Sequence, residues 1–559
     1  MSSSHKLFQE TPTLVRDALE GAALIGGHPS INVSTSNVLS APSTSNVRVI
    51  SGGGAGHEPA HGGFVGSGML WGAVSGGVFA SPSTGQVLSA LQSGSSDALL
   101  VVKNYTGDRL SFGRAIERFN AASTAKAVMV VVQDDCALPH ERTGTTGRRG
   151  LAGTILVYKV AGEAAKRGLP LTKVQALAEQ VASRVGTVGA AVRDDGQCEL
   201  GLGIHGEKGF SVEPVFDAKL LARRMVDMIL VEDKTRYTLS LSATGDLVVF
   251  VNNLGSATDL EVNAFQKHVL EYVREKYPGL KSIRVVSGRL MTSLHMHGIS
   301  LTLLVDPSAE VLELLDATPE DVGAWPGVAK VSLSQFKAGP STAVAAEPAQ
   351  IVKGPVLSDA TAAVFKGALR EAANALIAAE PILTEYDTIV GDGDCGHTLK
   401  SGASAILSHL DTLPVSHPAS TLTALSTILE NAMGGSSGVL YCILLDAAAG
   451  HLASVKESNP KEWAVALEKG LQAIMKYGGA KPGDRTMIDA LYPLSVALIQ
   501  NSTDYKGASA KAKEGAQKTA ELKRANAGRS SYVGAELSVP DPGAFAVAVW
   551  VEAVVKALG

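Results

Sequence analysis

A segment without periodicity, residues 336–350, divides this chain of 559 residues into two parts with different hydrophobic patterns. The segment is small and polar and contains two prolines, which is typical of an interdomain linker. Before it, short apolar runs alternate with helical stretches, whereas after Ser358 alanine and leucine recur at helical spacing. We therefore expect a multidomain protein with an α/β domain at residues 1–335, a linker at 336–357 and an all-α domain at 358–559.

The α/β domain is predicted to contain two lobes. Strand-like runs at residues 47–50, 98–102 and 127–132 precede two helical stretches at 154–167 and 171–184. A second set of strand-like runs, at residues 248–252, 283–286 and 299–305, follows a helical stretch at 217–230. The sequence predicts that the two lobes divide near residues 190–215.

Charge and cysteine content exclude several classes of protein. The 49 basic and 54 acidic residues leave a net charge of −5, so no overall positive field is available to bind nucleic acid or an anionic membrane. The four cysteines are widely spaced without a CxxC pair, which argues against a disulfide framework and a structural zinc site. Because the first residues also lack an apolar signal core, we expect a cytoplasmic protein without nucleic-acid or membrane partners.

The first candidate site is the glycine-rich segment 51–61, directly after a predicted strand. Its small residues allow backbone amides to approach a ligand, and His57 at its exit is suited to proton transfer. His61 is interpreted as structural. The neighbouring predicted strand ends near Lys103 and Asp108, which place an ammonium and a carboxylate at the same sheet edge; Asp108 is alternatively a helix cap.

The second candidate is His205, which stands between glycines with the carboxylate of Glu207 two residues further on. Without steric cover from its neighbours, the imidazole can act as a nucleophile toward a carbonyl, as a base or as a metal ligand. An ordinary hydrogen-bonded histidine is the alternative.

The third candidate is an acidic cluster of Asp387, Asp392 and Asp394. In an extended segment, residues two apart face the same way, so the last two carboxylates are expected to be paired, with Asp387 added from a preceding helix end. Three such carboxylates favour a divalent cation, Mg²⁺ or Ca²⁺, and Mg²⁺ if phosphates complete the shell. An acidic surface turn without an ion is the alternative.

Phosphate-binding elements follow in the same part of the chain. Residues 434–438 form a glycine-serine loop before an apolar helix, where free amides attract an anion, unless the loop is an ordinary turn. Arg485 opens another helix and could meet either a phosphate or a neighbouring carboxylate. Residues 541–543 are typical of a turn.

Taken together, these motifs resemble those of the ATP-dependent dihydroxyacetone kinases (glycerone kinase, triokinase), which fuse a substrate-binding K domain to an ATP-binding L domain. The resemblance covers nearly the whole chain, in family order. It rests on the motifs SGGGAGHEPAH, KNYTGDRLSFG, ELGLGIHGE, GDGDCG with its upstream aspartate, MGGSSG, KPGDRTM and PDPGA. The resemblance implies an L domain built as a barrel of eight antiparallel helices.

The resemblance also implies roles for individual residues. His205 would hold dihydroxyacetone as a covalent hemiaminal, with His57 and Asp108 as an acid/base pair. Asp387, Asp392 and Asp394 would bind two Mg²⁺ ions that bridge the ATP phosphates. The implied substrate pocket comprises Gly54, Ala55, Gly56, His57, Lys103 and Asp108. The implied nucleotide contacts are Asp394, Cys395, Gly396, His397, Ser436, Ser437, Gly478, Thr486, Met487, Asp541, Pro542 and Gly543.

The implied activity is phosphorylation of dihydroxyacetone, and of D-glyceraldehyde, by a homodimer in which the K domain of one subunit faces the L domain of the other. Ala55 replaces a serine common in the family and His397 a threonine, which affects substrate affinity and nucleotide fit rather than the chemistry. The alternatives are FMN cyclase activity at the metal site, a non-catalytic triose sensor, and a kinase recharged by a separate phosphoprotein.

Overall fold

The computed structural model describes residues 13–25, 32–33, 38–41, 45–294, 296–331, 354–527 and 538–559. The chain divides into two compact units, Met1–Gly339 and Pro340–Gly559. Most of the predicted linker, residues 336–353, lies outside the described residues. The first unit contains two sheets with helices and the second unit is helical, which confirms the predicted fold class.

The first sheet of the α/β unit has six strands in the order β1-β2-β4-β3-β5-β6. Strands β3, β4, β5 and β6 are parallel, so the carboxyl ends of β3 and β5 meet at one edge. The strands are β1 (Asn32–Val33), β2 (Val38–Ser40), β3 (Val47–Ala55), β4 (Gly72–Val78), β5 (Asp97–Lys103) and β6 (Ala127–Val132). The helices of this half are α1 (Leu14–Ile25), α2 (Thr84–Gln92), α3 (Thr106–Ala122), α4 (His140–Thr143), α5 (Thr154–Lys166) and α6 (Leu171–Arg184).

The second sheet has seven strands in the order β13-β11-β10-β12-β7-β8-β9, in which β10 and β11 are parallel. Its strands are β7 (Val185–Val192), β8 (Cys198–Leu200), β9 (Ser211–Glu213), β10 (Asp246–Asn253), β11 (Ser282–Gly288), β12 (His297–Val305) and β13 (Ala329–Val331). Its helices are α7 (Ala218–Leu230), α8 (Asp259–Lys276) and α9 (Ala309–Asp316).

The second sheet begins earlier in the chain than the predicted division at residues 190–215. Helix α6 ends at Arg184, and the next residue already starts β7, which pairs with β12. Four of the eight residues of β7 are glycine or alanine, and they interrupt its β-branched residues and weaken the strand signal.

A shared core joins the two sheets of this unit. Helix α5 is buried on all sides, from Thr154 to Ala165, and packs against β3 and β5. One apolar cluster includes Val101 of the first sheet, Ile155 of α5 and Phe250 of the second sheet. The two sheets are therefore held in a defined relation, which fixes the distance between side chains that each contributes.

The second unit forms a closed ring of eight helices within residues 354–527 and 538–559. Each helix packs against the next, and the last packs against the first. The helices are α10 (Asp359–Val390), α11 (Cys395–His409), α12 (Pro418–Ala432), α13 (Gly435–Ser454), α14 (Pro460–Gly478), α15 (Ile488–Gln500), α16 (Tyr505–Lys518) and α17 (Pro542–Leu558). Small buried residues such as Ala512 and Ala544 allow the helices to approach closely.

Helix α13 is long and apolar enough, by length and composition, to cross a membrane. It packs against α12 and α14 in the ring. One helix of this kind is weak evidence for a membrane span, because core helices of helical domains pass the same test.

Candidate functional site

The first candidate site lies at the carboxyl ends of β3 and β5. His57 follows β3, Lys103 is the last residue of β5, and Asp108 lies in the first turn of α3. Tyr105 occupies the N-cap position of α3, so Asp108 is not the helix cap that the sequence left as an alternative. The structure therefore brings these three predicted residues to one sheet edge.

Lys103 and Asp108 are both buried beside Gly53. A Cβ on Gly53 would lie 3.5 Å from Lys103 Nζ and 3.6 Å from Asp108 Oδ2, so both charged groups lie close to the backbone of this glycine. Lys103 Nζ and Asp108 Oδ1 are buried without a hydrogen-bond partner. Burial lowers the pKa of Lys103, which Asp108 opposes, and burial raises the pKa of Asp108, which Lys103 opposes. Two unsatisfied groups of opposite charge indicate a site built to receive a polar ligand.

The predicted glycine-rich loop provides close backbone packing. A Cβ at Gly54 would lie 2.7 Å from the backbone nitrogen of Ala80, so only glycine fits there. Ala55 ends β3 and is buried, and the Gly56 amide donates to Glu58 Oε2 at 2.9 Å. These three residues shape the wall beside His57.

The His57 ring contacts the His205 ring directly, with 3.0 Å between their Nε2 atoms. His57 Nδ1 donates to the carbonyl oxygen of Thr292 at 2.8 Å. Burial, and then the nearby Lys103 ammonium, hold the pKa of His57 well below its usual value. His57 is therefore a neutral ring at neutral pH, with Nε2 directed at His205.

Glu207 anchors His205 from the other side. One carboxylate oxygen lies 3.1 Å from His205 Nδ1, and the other accepts the His205 backbone amide at 2.8 Å. Burial raises the pKa of Glu207, but the hydrogen bonds and charge of His205 outweigh it and lower that pKa to about 2. An ionised Glu207 keeps a proton on Nδ1, so Nε2 is the reactive nitrogen of His205.

Hydrogen-bond roles fix the tautomer of both rings. Both Nδ1 atoms donate, because their partners are a carbonyl and a carboxylate. Each ring therefore presents its Nε2 to the other ring, 3.0 Å away. Nε2 is the nitrogen through which either ring can exchange a proton or attack a carbon.

Two aromatic rings pack against His205 and leave part of its side chain exposed. The ring centroids of Tyr105 and Phe79 lie 4.5 Å and 5.5 Å from that of His205, both edge to face. The sequence analysis missed both rings and Thr292. Tyr105 lies inside the KNYTGD motif, which could have suggested it, whereas Thr292 is 235 residues from His57 and carries no local signal.

His61, interpreted as structural, is fully enclosed. The Ser51 hydroxyl donates to the Val101 carbonyl at 2.7 Å, so at 3.3 Å it accepts from His61 Nδ1. Burial holds the pKa of His61 well below its usual value.

The second candidate site is the acidic cluster of the helical unit. Asp387 lies in the last turn of α10, Asp392 lies in the turn that follows, and Asp394 is the N-cap residue of α11. One oxygen from each carboxylate lies within 4.8 Å of the others. The connection is a tight turn with Gly393 at φ +79°, not the extended segment expected from the sequence. The three residues still converge, because the turn reverses the chain between two packed helices.

This oxygen-only donor set fits a hard divalent cation such as Mg²⁺. The Asp387 carboxylate also accepts the Cys395 amide at 3.0 Å, which holds it toward the turn. Gly396 packs against α10, where a Cβ would lie 2.2 Å from Thr384 Oγ1. Burial raises the pKa of the Cys395 thiol to about 12, so this cysteine stays protonated. His397 is exposed and pairs with Glu380 at 3.1 Å.

The glycine-serine segment begins a helix rather than preceding one. Gly434 is the N-cap residue, and α13 starts at Gly435 without a side-chain cap. Ser436 is exposed and Ser437 is half-buried in the first turn, where amides lack intrahelical partners. The backbone amides that were predicted to attract an anion therefore belong to the first turn of α13.

The remaining predicted nucleotide residues lie at other helix ends. Gly478 ends α14, Met487 is the N-cap residue of α15, and the Thr486 amide donates to Asp489 at 2.8 Å. Asp541 caps α17 through the Ala544 amide at 2.8 Å, and burial raises its pKa to about 6. Pro542 and Gly543 form the first turn of α17.

Arg485 is fully buried rather than available to a ligand on the surface. Its guanidinium donates to the carbonyl oxygens of Thr519, at 3.1 Å, and Val539. The sequence predicted either a phosphate or a carboxylate as the partner of Arg485. In the structure, its hydrogen-bond partners are backbone carbonyls instead. Arg485 thus connects the start of α15 to the segment before α17.

Comparison with known proteins connects both sites to one family. A Dak1 domain model matches residues 22–322, and a DAK2 domain model matches residues 389–556. The chain is 36% identical to triokinase/FMN cyclase of Mus musculus, over 100% of this chain and 99% of the relative. It is also 36% identical to dihydroxyacetone kinase of Pichia angusta, over 91% of each chain.

A solved structure matches along almost the whole length. The dihydroxyacetone kinase from C. freundii in complex with AMP-PNP and Mg²⁺ is 32% identical, with a TM-score of 0.65, covering 99% of this chain and 100% of that chain. Family models, full-length relatives and the solved structure agree in domain order with the α/β and helical units described above. The chain belongs to the dihydroxyacetone kinase family, with a Dak1 domain followed by a DAK2 domain.

Proposed function

We propose that this protein transfers the γ-phosphoryl group of ATP to dihydroxyacetone, and to D-glyceraldehyde, as a glycerone kinase and triokinase. The observation that carries the proposal is the arrangement around His205. Its Nε2 lies in an aromatic enclosure 3.0 Å from His57, while Glu207 holds Nδ1. Relatives named dihydroxyacetone kinase and triokinase support the same substrate class.

In the proposed capture step, the His205 Nε2 lone pair forms a bond to the carbonyl carbon of the triose. The carbonyl π electrons move to oxygen, which takes up a proton from solvent water to become a hydroxyl, and no atom leaves the triose. The ring gains a positive charge, which the ionised Glu207 carboxylate stabilises. Because a polyol without a carbonyl cannot form this bond, the step selects ketones and aldehydes over glycerol.

His57, Lys103 and Asp108 are proposed to act on the bound triose. Gly54, Ala55 and Gly56 form the wall beside it. The raised pKa of Asp108 makes it a stronger base than an exposed aspartate, suited to accept a proton from the hydroxyl that is phosphorylated. The buried Lys103 ammonium, which has no other hydrogen-bond partner, can donate to a triose oxygen.

Two Mg²⁺ ions are proposed to bind Asp387, Asp392 and Asp394, whose oxygens converge within 4.8 Å. The ions would neutralise phosphate charge in the transition state. Residues at the starts of α11, α13 and α17 would hold the nucleotide, as implied by the resemblance. The solved relative with AMP-PNP and Mg²⁺ supports these two ligands, and the donor set supports the metal.

The capture proposal is tested by His205→Ala, with His268→Ala as the control from the same unit. His268 pairs with Glu271 on α8, outside the site. We expect His205→Ala to raise KM for dihydroxyacetone strongly or abolish turnover at low substrate, while Mg-ATP binding by calorimetry persists. Unchanged kinetics of His205→Ala in a coupled assay would contradict covalent capture.

We further propose a cytoplasmic homodimer with K domain 1–335, linker 336–357 and L domain 358–559, in which the K domain of one subunit faces the L domain of its partner. The test mixes two inactive homodimers, His205→Ala and Asp392→Asn. If sites form across subunits, exchange recreates one intact site per heterodimer and restores about a quarter of wild-type activity. If each site lies within one chain, no activity returns.

FMN cyclase activity is a second candidate, because the mouse relative carries that name as well as triokinase. It would use the acidic cluster without His205. Incubating His205→Ala and Asp392→Asn with FAD and Mn²⁺ separates the two activities. Cyclic FMN formed by His205→Ala but not by Asp392→Asn supports the cyclase, and its absence from wild type excludes it.

A further inference from the structure

The α/β unit contains a second polar cleft, in the second sheet. Its volume is about 740 Å³, and it lies at the carboxyl ends of β10 and β11 beside the start of α8. These two strands are parallel neighbours, and the crevice at this edge of an α/β sheet is a common place for ligands. His57 and Lys103 occupy the corresponding edge of the first sheet, at β3 and β5. The side chains that line the cleft are Asn253, Asp259, Asn263, Gln266, Ser287 and Arg289.

Several polar atoms of this cleft have no hydrogen-bond or ion-pair partner among the residues that the structure describes. Arg289 is exposed and makes no hydrogen bond or ion pair with any residue that the structure describes. Gln266 Oε1 is buried and lacks a hydrogen-bond partner. Asp259 also faces the cleft without an ion pair in the described part of the chain. By contrast, Glu261 is committed to Thr258 and His297.

The chemistry of these groups defines a class of ligand. A guanidinium binds carboxylate or phosphate oxygens in a bidentate manner. The Gln266 and Asp259 oxygens accept hydrogen bonds, so they are suited to hydroxyl donors on the same ligand. The volume is in the range that accommodates small metabolites. A neutral polyol would leave Arg289 unused, and a bare anion would leave Gln266 unsatisfied.

We propose that this cleft is a second ligand-binding site, which takes a small hydroxylated oxyanion: a polyol chain carrying one phosphate or one carboxylate. The site is separate from the His57–His205 site and does not depend on the proposed kinase activity. Its occupant binds through Arg289 at the anionic end and through Gln266 and Asp259 at its hydroxyls.

The test is calorimetry of the full chain with three probes: glycerol 3-phosphate, glycerate and glycerol. Saturating dihydroxyacetone is present to occupy the first-sheet site, and no ATP is added. We expect the phosphate or the carboxylate to bind and glycerol not to bind. Preference between the first two probes identifies the anionic group.

Two variants locate the binding. Arg289→Gln is expected to weaken binding about tenfold or more, because it removes the charge-assisted contact. Asn263→Trp places a larger side chain on the exposed face of α8, which narrows the cleft and should also weaken binding. The matched control is Arg118→Gln, an exposed arginine of α3 outside the cleft, which should bind like wild type.

Three results would overturn the proposal: no binding of either oxyanion, equal binding of glycerol, or affinity unchanged by both Arg289→Gln and Asn263→Trp. The first result would mean that the cleft holds only water. The second would mean that Arg289 does not contribute to binding. The third would mean that the probe binds elsewhere. A failure of kinase activity would leave these measurements unaffected, because they require no turnover.

Discussion

The reactivity of His205 depends on which of its nitrogens carries a proton, and Glu207 controls that choice. The carboxylate contacts both the ring and the backbone amide of His205. Since its pKa is lowered to about 2, the carboxylate is ionised throughout the pH range in which the protein would work. In the proposed capture step, Glu207 would therefore position His205 Nε2 rather than donate a proton.

We predict that Glu207→Gln lowers kcat/KM for dihydroxyacetone about 10- to 100-fold, because the charge that orients and stabilises the ring is lost. The reduction should be similar from about pH 5 to 9, because wild-type Glu207 is ionised across this whole interval. Steady-state kinetics across pH measure it. Glu213→Gln, which alters an ion pair on β9, is the control. A loss confined to acidic pH would contradict this role.

Two buried neutral histidines make the stability of the first unit depend on pH. Burial holds the pKa values of His57 and His61 well below 6.5, the value expected when unfolded. Below pH 6.5, the unfolded chain therefore binds protons that the folded chain does not. The contribution of these histidines to the free energy of unfolding is fully present above pH 6.5. It falls by about 1.4 kcal/mol per pH unit for each histidine as the solution becomes more acidic.

We predict that His61→Asn removes about half of this acid dependence, because asparagine can still donate to Ser51 but does not titrate. Hydrogen exchange of the β3 amides, corrected for the intrinsic effect of pH, measures the stability of this unit specifically. His268→Asn on α8, outside this buried cluster, is the control substitution. An unchanged slope in His61→Asn would mean that His61 is protonated in the folded state.

At the scale of elements, the segment between β11 and β12 positions the two histidines of the candidate site. Asn252, at the end of β10, accepts the amides of Leu290 and Met291 at 3.0 Å and 2.9 Å, and donates to the Met291 carbonyl at 2.7 Å. The next two residues reach the site: the Thr292 carbonyl accepts from His57, and the Ser293 hydroxyl donates to the Ile204 carbonyl at 2.6 Å. The segment therefore orients both histidines.

We predict that Asn252→Ala lowers kcat/KM for dihydroxyacetone and lowers stability by about 2–4 kcal/mol, since buried amides lose their partner. Mg-ATP affinity should stay at the wild-type level. The control is Ser300→Ala, which removes only the Asn252–Ser300 bond of 2.9 Å. Kinetics and urea unfolding measure the two effects. Full activity in a destabilised Asn252→Ala protein would show that the segment is structural alone.

At the scale of the whole molecule, each unit has its own core and its own candidate site. The acidic cluster depends on α10 and α11, whereas the histidine pair depends on the two sheets and α5. Ligands that bind the folded state stabilise the unit that holds them. Each substrate is therefore expected to protect its own unit.

We predict that Mg-ATP at about 100 times its Kd slows hydrogen exchange in α11 and α13 by an amount equivalent to about 2.7 kcal/mol. Asp392→Asn should abolish this protection, and removal of Mg²⁺ with a chelator should do the same. Mass spectrometry of peptides from both units measures it. Equal exchange of these helices with and without Mg-ATP would contradict the proposed nucleotide site.

Local patterns were sufficient for the fold class, the family and most candidate residues. Strand and helix periodicity, glycine-rich loops and the acidic motif are each contained within about a dozen neighbouring residues, so their signal is present in the sequence. His57, Lys103 and Asp108 could be expected at one sheet edge because parallel strands end together. The roles of these residues and the domain boundaries stay predictions until the experiments above are done.

The tertiary structure alone decided which distant groups meet. His57 and His205 are 148 residues apart, and their contact depends on the buried helix α5 that holds the two sheets together. Thr292 reaches His57 through a segment with no motif, and packing encloses Arg485 among backbone carbonyls. The physical reason is that such contacts follow from side-chain packing between elements, which no local periodicity encodes.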